Sequence, residues 1–223
     1  MKKPVAVLLS GGMDSTTLLA LAAHEENPQL AVSVDYGQRH QVELEAAEKV
    51  AAYYGVEHLV LDFTGWGKAL SGSALTDPGV AVPDGEYDEE NMSLTVVPNR
   101  NATMLMAVAG IAAARGIQEV WTAVHAGDHS VYPDCRPEFI SSAAETAEHG
   151  TDGEVTIRAP FSTFTKADIA TTGAKHGAPL DLSWSCYKGG TAHCGTCGTC
   201  QERREAFQIA QITDPTIYEE TPA

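Results

Sequence analysis

The chain has 223 residues, enough for one generous domain or for one domain with a small appendage. Its hydrophobic content of 43% is that of a globular protein, and no apolar run reaches the length of a membrane span, so no membrane partner is expected. With 30 acidic against 14 basic residues the net charge is −16, a surface that repels phosphates and argues against direct nucleic-acid binding. The start, Met1-Lys2-Lys3-Pro4, runs straight into an apolar stretch without the pattern of a cleavable signal, which makes a cytoplasmic location the expectation.

Val5 to Leu9 reads as a buried parallel strand. A helical stretch from Asp14 to Glu25 follows, ended by Asn27-Pro28. Between them lies a turn of small residues, Ser10-Gly11-Gly12-Met13-Asp14-Ser15. Adjacent glycines let a ligand approach the backbone closely, and the amides opening the helix sit at its positive dipole end. Strand, glycine–serine turn and helix N-terminus together make a phosphate cradle. No lysine lies between Pro4 and Glu48, so this is not the lysine-bearing mononucleotide loop, and it is not Gly-x-Gly-x-x-Gly either. Ser-Gly-Gly-Met-Asp-Ser resembles the signature of the N-type ATP pyrophosphatases, the PP-loop enzymes. The bland alternative is a glycine turn with Asp14 as helix cap.

Leu30 to Asp35 is a second buried strand, with Tyr36-Gly37-Gln38-Arg39-His40 at its C-terminal end, where ligands bind in open α/β sheets. Asp35 also suits a turn. Gln41 to Tyr54 is helical, with Val42, Ala46, Val50 and Tyr53 on one face and Gly55 as terminator. His58 to Asp62 is strand three, which makes βαβαβ and a parallel sheet covered on both faces. Residues 63–98 break the rhythm; they are expected to form a surface insertion that partly covers the site, with the acidic run 84–90 solvated. Ala102 to Ala114 is hydrophobic nearly all round and should be a buried helix. Glu119 to Val124 is strand four, followed by a polar loop from His125 to Arg136 at the ligand-binding end. Helix Glu138–Glu148, strand Val155–Pro160 and helix Lys166–Lys175, capped by Thr165, complete the unit.

Four of the five cysteines form Cys186-x7-Cys194-x2-Cys197-x2-Cys200. Two residues between cysteines let one tight turn supply two sulfurs, and four sulfurs close a tetrahedral shell, so a structural Zn2+ is expected. His193 could replace one sulfur, and an iron–sulfur cluster is the competing reading. The metal clip would pin a C-terminal helix, Gln201 to Gln211, and the loop at Trp184 against the rest. Cys135 is separate, either a small buried thiol or part of the site.

The ordered motifs Ser-Gly-Gly-Met-Asp-Ser-Thr-Thr, Asp35-Tyr-Gly-Gln-Arg-His40, Val97-Pro-Asn-Arg-Asn101, Tyr132-Pro-Asp-Cys-Arg-Pro-Glu-Phe139 and Ser185-Cys-Tyr-Lys-Gly through Cys200 resemble those of the 7-cyano-7-deazaguanine synthases, the QueC family. The resemblance runs from residue 5 to 208 and weakens at His125 to Ser130. It implies a Rossmann-like, doubly wound α/β fold with a five-stranded parallel sheet. Residues 1–180 would be the PP-loop ATP-binding unit and 181–223 a small zinc-binding helical appendage. It implies conversion of 7-carboxy-7-deazaguanine and ammonia, with two ATP and Mg2+, to 7-cyano-7-deazaguanine, by a homodimer. ATP is expected along Leu9, Ser10, Gly11, Gly12, Met13, Asp14, Ser15, Thr16, Thr17, Leu18 and Leu19, with Val34 and Asp35 nearby. Asp14 is the candidate metal or water ligand, and Arg39, Arg100 and Arg136 are candidates for the substrate carboxylate or the developing phosphate charge. Gln38, Tyr132, Asp134 and Arg136 are candidate substrate contacts, with Asp134 reading the guanine-like face. Each arginine could instead be a surface ion pair.

Three rival readings remain at this level. The reaction could stop at the amide. Another PP-loop amidating or thiolating enzyme is possible, although a tRNA-binding one would show a basic face. A zinc-knuckle binding module without catalysis would leave Ser10–Thr16 unexplained and has only Lys188, Arg203 and Arg204 as nearby bases.

Overall fold

The computed structural model describes residues 2–70, 72–77, 79–85 and 92–219. Five strands form one parallel sheet in the order β3-β2-β1-β4-β5. They are β1 (Pro4–Leu8), β2 (Asn27–Asp35), β3 (Glu57–Asp62), β4 (Glu119–Trp121) and β5 (Thr156–Arg158). Side chains alternate across a strand, so β1 feeds two cores at once. Val5, Val7 and Leu9 face one side, packed with α1 (Met13–Glu25), α2 (Val42–Tyr54), α6 (Lys166–Lys175) and α7 (Gly198–Ile209). Ala6 faces the other, packed with α4 (Arg100–Ala114) and α5 (Pro137–Gly150). A short α3 (Thr64–Lys68) follows β3.

Neighbouring strands leave β1 on opposite sides, toward β2 and toward β4, so the crevice beyond Leu8 is the topological switch point where such sheets bind ligands. α1 passes directly into β2, and Pro28 is accommodated by a register shift against Val5 and Ala6.

Four expectations are corrected. Tyr53 is 61% exposed, because α2 buries Ala46, Ala47, Val50 and Ala51 instead. Helix α4 is not buried all round; Met104, Leu105, Val108, Ala109 and Ala112 bury one face, and small alanines tolerate partial exposure on the rest. No described residue of 63–98 lines the central cavity. Leu75 and Val97 of this segment pack in one apolar cluster with the lining residues Val34, Tyr36 and Met104, Arg39 Nη2 donates to the carbonyls of Asp77 (3.1 Å) and Val80 (3.0 Å), and Gly85 N donates to Thr196 O at 3.0 Å. Asp84 is not merely solvated, since it pairs with Lys188 beside the cysteine cluster; residues 86–90 of that acidic run lie outside the described residues.

Gly11 shows why the turn after β1 needs glycine. Its φ is +87°, and a Cβ there would lie 2.1 Å from Glu43 O and 2.8 Å from Ala47 N, both backbone atoms of α2. Gly11→Ala is expected to destabilise the fold by about 1–3 kcal/mol, read as a lower urea midpoint with the slope unchanged. An unchanged midpoint would mean that α2 can retreat from the turn.

Candidate active site

A cavity of ≈ 230 Å³ opens beyond the C-terminal ends of β1, β2 and β4. Ser10, Gly12, Met13, Asp14 and Ser15 are part of its lining. The turn is braced internally: Ser10 N donates to Ser15 Oγ (3.2 Å), Gly12 N donates to Ser10 Oγ (3.3 Å), and Ser15 Oγ donates to Gly12 O (3.2 Å). The cap of α1 is Gly12, and no side chain caps the helix. Asp14 therefore is not the helix cap, and the first amides of α1 are left for a ligand.

Asp14 makes its contacts across the cavity. Lys166, the first residue of α6, donates from Nζ to Asp14 Oδ2 at 2.8 Å, and lies 3.2 Å from Glu202 Oε2 on α7. Burial pushes the Asp14 carboxyl up, but the Lys166 ammonium and His125 outweigh it and hold the group below the ordinary carboxylate range. Burial likewise disfavours charge on Lys166, while Asp14, Glu202 and Asp128 hold its pKa well above the ordinary value. His125 accepts Gly127 N–H at Nδ1 (3.1 Å), and its Nε2 lies 3.3 Å from Lys166 Nζ, 3.5 Å from Asp128 Oδ2 and 3.8 Å from Asp14 Oδ2. Asp14 Oδ1 is buried with no hydrogen-bond partner. An orphaned carboxylate oxygen beside a phosphate cradle fits a divalent cation, whose hard charge prefers oxygen ligands.

The lining also includes Tyr36, His40, Glu43, Arg100, Met104, Trp184 and Tyr187. Arg100 donates from Nη1 to Tyr36 Oη at 3.3 Å, with its guanidinium 5.8 Å from the centre of the Tyr36 ring. Cys135 lines the cavity as well; burial pushes its thiol far up, so it is an inert buried sulfur held by Asn101 Nδ2 at 3.3 Å.

Several candidates drawn from the sequence lie away from this lining. Thr16, Thr17, Leu18 and Leu19 are fully buried within α1. Gly11 is packed against α2, although its carbonyl accepts from Trp184 N at 2.8 Å. Asp35 Oδ1 accepts from Gly37 N at 2.9 Å in the turn after β2. Gln38 is 1% exposed and bonded to Val34, Tyr36 and Glu43. Arg39 is exposed and holds the insertion, as above. Tyr132 is buried with its hydroxyl on Thr95. Asp134 Oδ2 accepts from Asn101 N at 2.9 Å, at the start of α4. Arg136 is exposed and donates from Nε to His129 O at 2.9 Å. Leu9, Ser10, Gly12, Met13, Asp14, Ser15 and Arg100 are the candidates brought together, with Val34 beside them. Lys166 carried a usable signal, since it follows strand five at the ligand-binding end of the sheet. Glu43, Trp184 and Tyr187 carried none.

The ligand atoms of Cys186, Cys194, Cys197 and Cys200 all lie within 4.8 Å of one another, with Cys194 and Cys200 sulfurs 4.0 Å apart. One tetrahedral ion with metal–sulfur bonds of about 2.3 Å sets sulfurs about 3.8 Å apart, which fits. A cluster whose cysteines bind different irons would spread them wider. Crowding sets the thiols against one another: hydrogen bonds with Cys186 and Cys200 drive Cys197 far down, while its contact with Cys197 pushes Cys186 up to about 11. His193 is not part of the set. Its Nε2 accepts from Ser185 N at 3.0 Å, and burial pushes it down to about 4, so it stays neutral. Cys186 directly follows Trp184 and Ser185, and Cys197 and Cys200 flank Thr199, so the cluster anchors four lining residues, Trp184, Ser185, Tyr187 and Thr199.

A glycine–serine turn at the switch point of a parallel sheet, facing a lysine–aspartate pair, marks a nucleotide-binding α/β protein of the PP-loop class. Residues 4–211 match the family described as queuosine biosynthesis protein QueC. The 7-cyano-7-deazaguanine synthase of Allorhizobium ampelinum is 53% identical over 218 residues, 97% of this chain and 92% of that one. The enzyme of the same name from Brucella anthropi is 51% identical over 216 residues, 96% and 93% of the two chains. The chain belongs to the QueC family. The solved structure of NMN synthetase from Francisella tularensis aligns with a TM-score of 0.51, covering 96% of this chain and 80% of that one at 16% identity, a likeness of fold alone. Among the described residues no helix is long and apolar enough to cross a membrane.

Proposed function

We infer that the protein is an ATP-dependent ligase that converts 7-carboxy-7-deazaguanine and ammonia to 7-cyano-7-deazaguanine. The reading rests on identity of about half the residues along almost the whole length of the synthases. A carboxylate resists attack by ammonia because its leaving group would be oxide. Transfer of AMP from ATP to the carboxylate releases pyrophosphate and supplies a good leaving group. Ammonia then displaces AMP to give the amide. A second AMP on the amide oxygen leaves with that oxygen, the nitrogen gives up its protons, and the nitrile remains.

In this reading Ser10, Gly12 and Ser15 and the opening amides of α1 hold the pyrophosphate. Lys166 meets the negative charge that grows there, and Asp14 keeps the ammonium oriented. A divalent cation at Asp14 would further offset that charge. Arg100 pairs with the substrate carboxylate in this reading, which is supported by its being on the cavity lining where Arg39 and Arg136 are not. The four sulfurs hold one structural zinc ion. A cytoplasmic homodimer is the assembly that goes with this assignment.

Pure protein incubated with 7-carboxy-7-deazaguanine, ammonium, Mg2+ and ATP tests it by mass spectrometry. The expected product is the nitrile, with two AMP for each molecule formed. The amide with one AMP would show that the sequence stops halfway, and no AMP at all would require a different acid.

A further inference from the structure

We propose that Glu43 is the residue that reads the purine-like edge of the acid substrate, its carboxylate accepting two adjacent ring N–H donors. The inference rests on the function proposed above. Asp134, which the sequence offered for this task, is spent at the start of α4, where it accepts from Asn101 N at 2.9 Å, and it does not line the cavity.

Glu43 stands on the first turn of α2 and lines the cavity, with 13% of its side chain accessible. Both oxygens have a neighbour on the protein side: Oε1 accepts from Gln38 Nε2 at 3.0 Å, and Oε2 lies 3.1 Å from His40 Nε2. Both neighbours are themselves fixed. Gln38 is 1% exposed and its amide also bonds Tyr36 N (2.9 Å) and Val34 O (3.2 Å), while His40 is 3% exposed and its ring lies 5.0 Å from that of Tyr187. A carboxylate offers about four lone-pair positions, so even with both neighbours in place each oxygen keeps at least one for a ligand. The group is held as a fork before anything binds.

The surroundings suit the rest of the molecule. Tyr36, Trp184 and Tyr187 supply flat apolar surface for a heterocycle, and Arg100 on the same lining supplies a cation for its carboxylate. The fork also discriminates. A guanine-like edge presents two neighbouring donors, N1–H and the 2-amino group, and both meet an acceptor. An adenine edge presents one donor and one acceptor, and its acceptor nitrogen would face carboxylate oxygen. Glu43 thereby favours the substrate over the base of ATP at this place. Were Glu43 only the partner of His40, its loss would weaken the fold and leave discrimination among substrates untouched.

Steady-state kinetics on the full-length enzyme test this with 7-carboxy-7-deazaguanine and its analogue lacking the 2-amino group. The wild type should prefer the natural acid roughly 10- to 100-fold in kcat/KM, the range of a hydrogen bond to a charged group. In Glu43→Gln that preference should fall to within a few-fold of unity, with KM for ATP unchanged. A preference retained in Glu43→Gln overturns the proposal, as does a wild type that turns over both acids equally. If Glu43→Gln fails to fold, Glu43→Asp keeps the charge but withdraws the fork by one methylene, and the same collapse of preference is expected. A wild type that makes no AMP from the natural acid would overturn the function reading itself.

Discussion

Replacing Lys166 with alanine is expected to slow AMP formation by about 10²–10³-fold, the effect of removing one preorganised charge from a site where negative charge develops. The ammonium is 2.8 Å from Asp14 and 3.2 Å from Glu202, so its position is set before ATP arrives. The pH profile should change as well. In the intact protein Asp14 ionises below the ordinary carboxylate range because Lys166 and His125 outweigh burial. Its contribution to stability is therefore complete above the ordinary carboxylate pKa and is lost as pH falls through the lowered value. Without Lys166 the largest remaining influence is burial, which raises the pKa. The acid limb of activity should move to higher pH in Lys166→Ala, and the share of acid destabilisation that comes from Asp14 should disappear, because a folded-state pKa raised by burial makes protonation favour the folded form. An acid limb that stays in place would mean that Asp14 does not depend on this pair. Asp14→Ala should abolish AMP release while the fold survives, since Asp14 borders the cavity and lies outside the apolar clusters.

Changing Cys197 to serine is expected to lose one metal ion per chain and to destabilise the protein by several kcal/mol. Binding energy at a structural zinc site is folding energy, about 10–16 kcal/mol in isolated zinc modules at neutral pH. The loss here should be smaller and local, because Ala206 and Phe207 of α7 belong to the same apolar core as α1 and α6 and keep the helix in contact. Proteolysis should accordingly open residues near 180–197 before the sheet. Activity should fall with the metal, since Trp184, Ser185, Tyr187 and Thr199 line the cavity from within or beside the cysteine pattern. Elemental analysis decides the point: zinc near one per chain in the wild type and near zero in Cys197→Ser. Metal content unchanged in the variant would remove the four-cysteine assignment, and iron in place of zinc would change the ion.

The two centres are coupled through backbone rather than through shared ligands. Trp184 N donates to Gly11 O at 2.8 Å, so the chain entering the cysteine cluster is bonded to the phosphate turn. Arg203, 1% exposed, ties the same stretch from behind, donating to Leu180 O (3.0 Å), Ser183 Oγ (2.8 Å) and Asp214 Oδ1 (3.1 Å). A buried arginine needs such complete pairing, because an uncompensated buried charge costs far more than a surface one.

What the sequence determined by itself is local. Val5 to Leu9, the small-residue turn and the apolar helix after it mark the candidate nucleotide site because strand period, glycine freedom and helix opening are properties of about twenty consecutive residues. The cysteine spacing marks the metal site for the same reason, since two sulfurs two residues apart must share a turn. Beyond Ser10, Asp14, Ser15 and Arg100, which polar side chains share the cavity was decided only by the tertiary structure. Gln38, Arg39, Tyr132, Asp134 and Arg136 all lie in polar loops at the right end of the sheet, yet they turn to backbone carbonyls, a helix start and a buried hydroxyl instead. Glu43 sat in a stretch that read as an ordinary helix opening, Lys166 was marked only by its place after strand five, and both meet the cavity because α2 and α6 begin there. The order β3-β2-β1-β4-β5 brings those helix starts to one crevice, and the direction of a side chain at that crevice depends on partners distant in sequence.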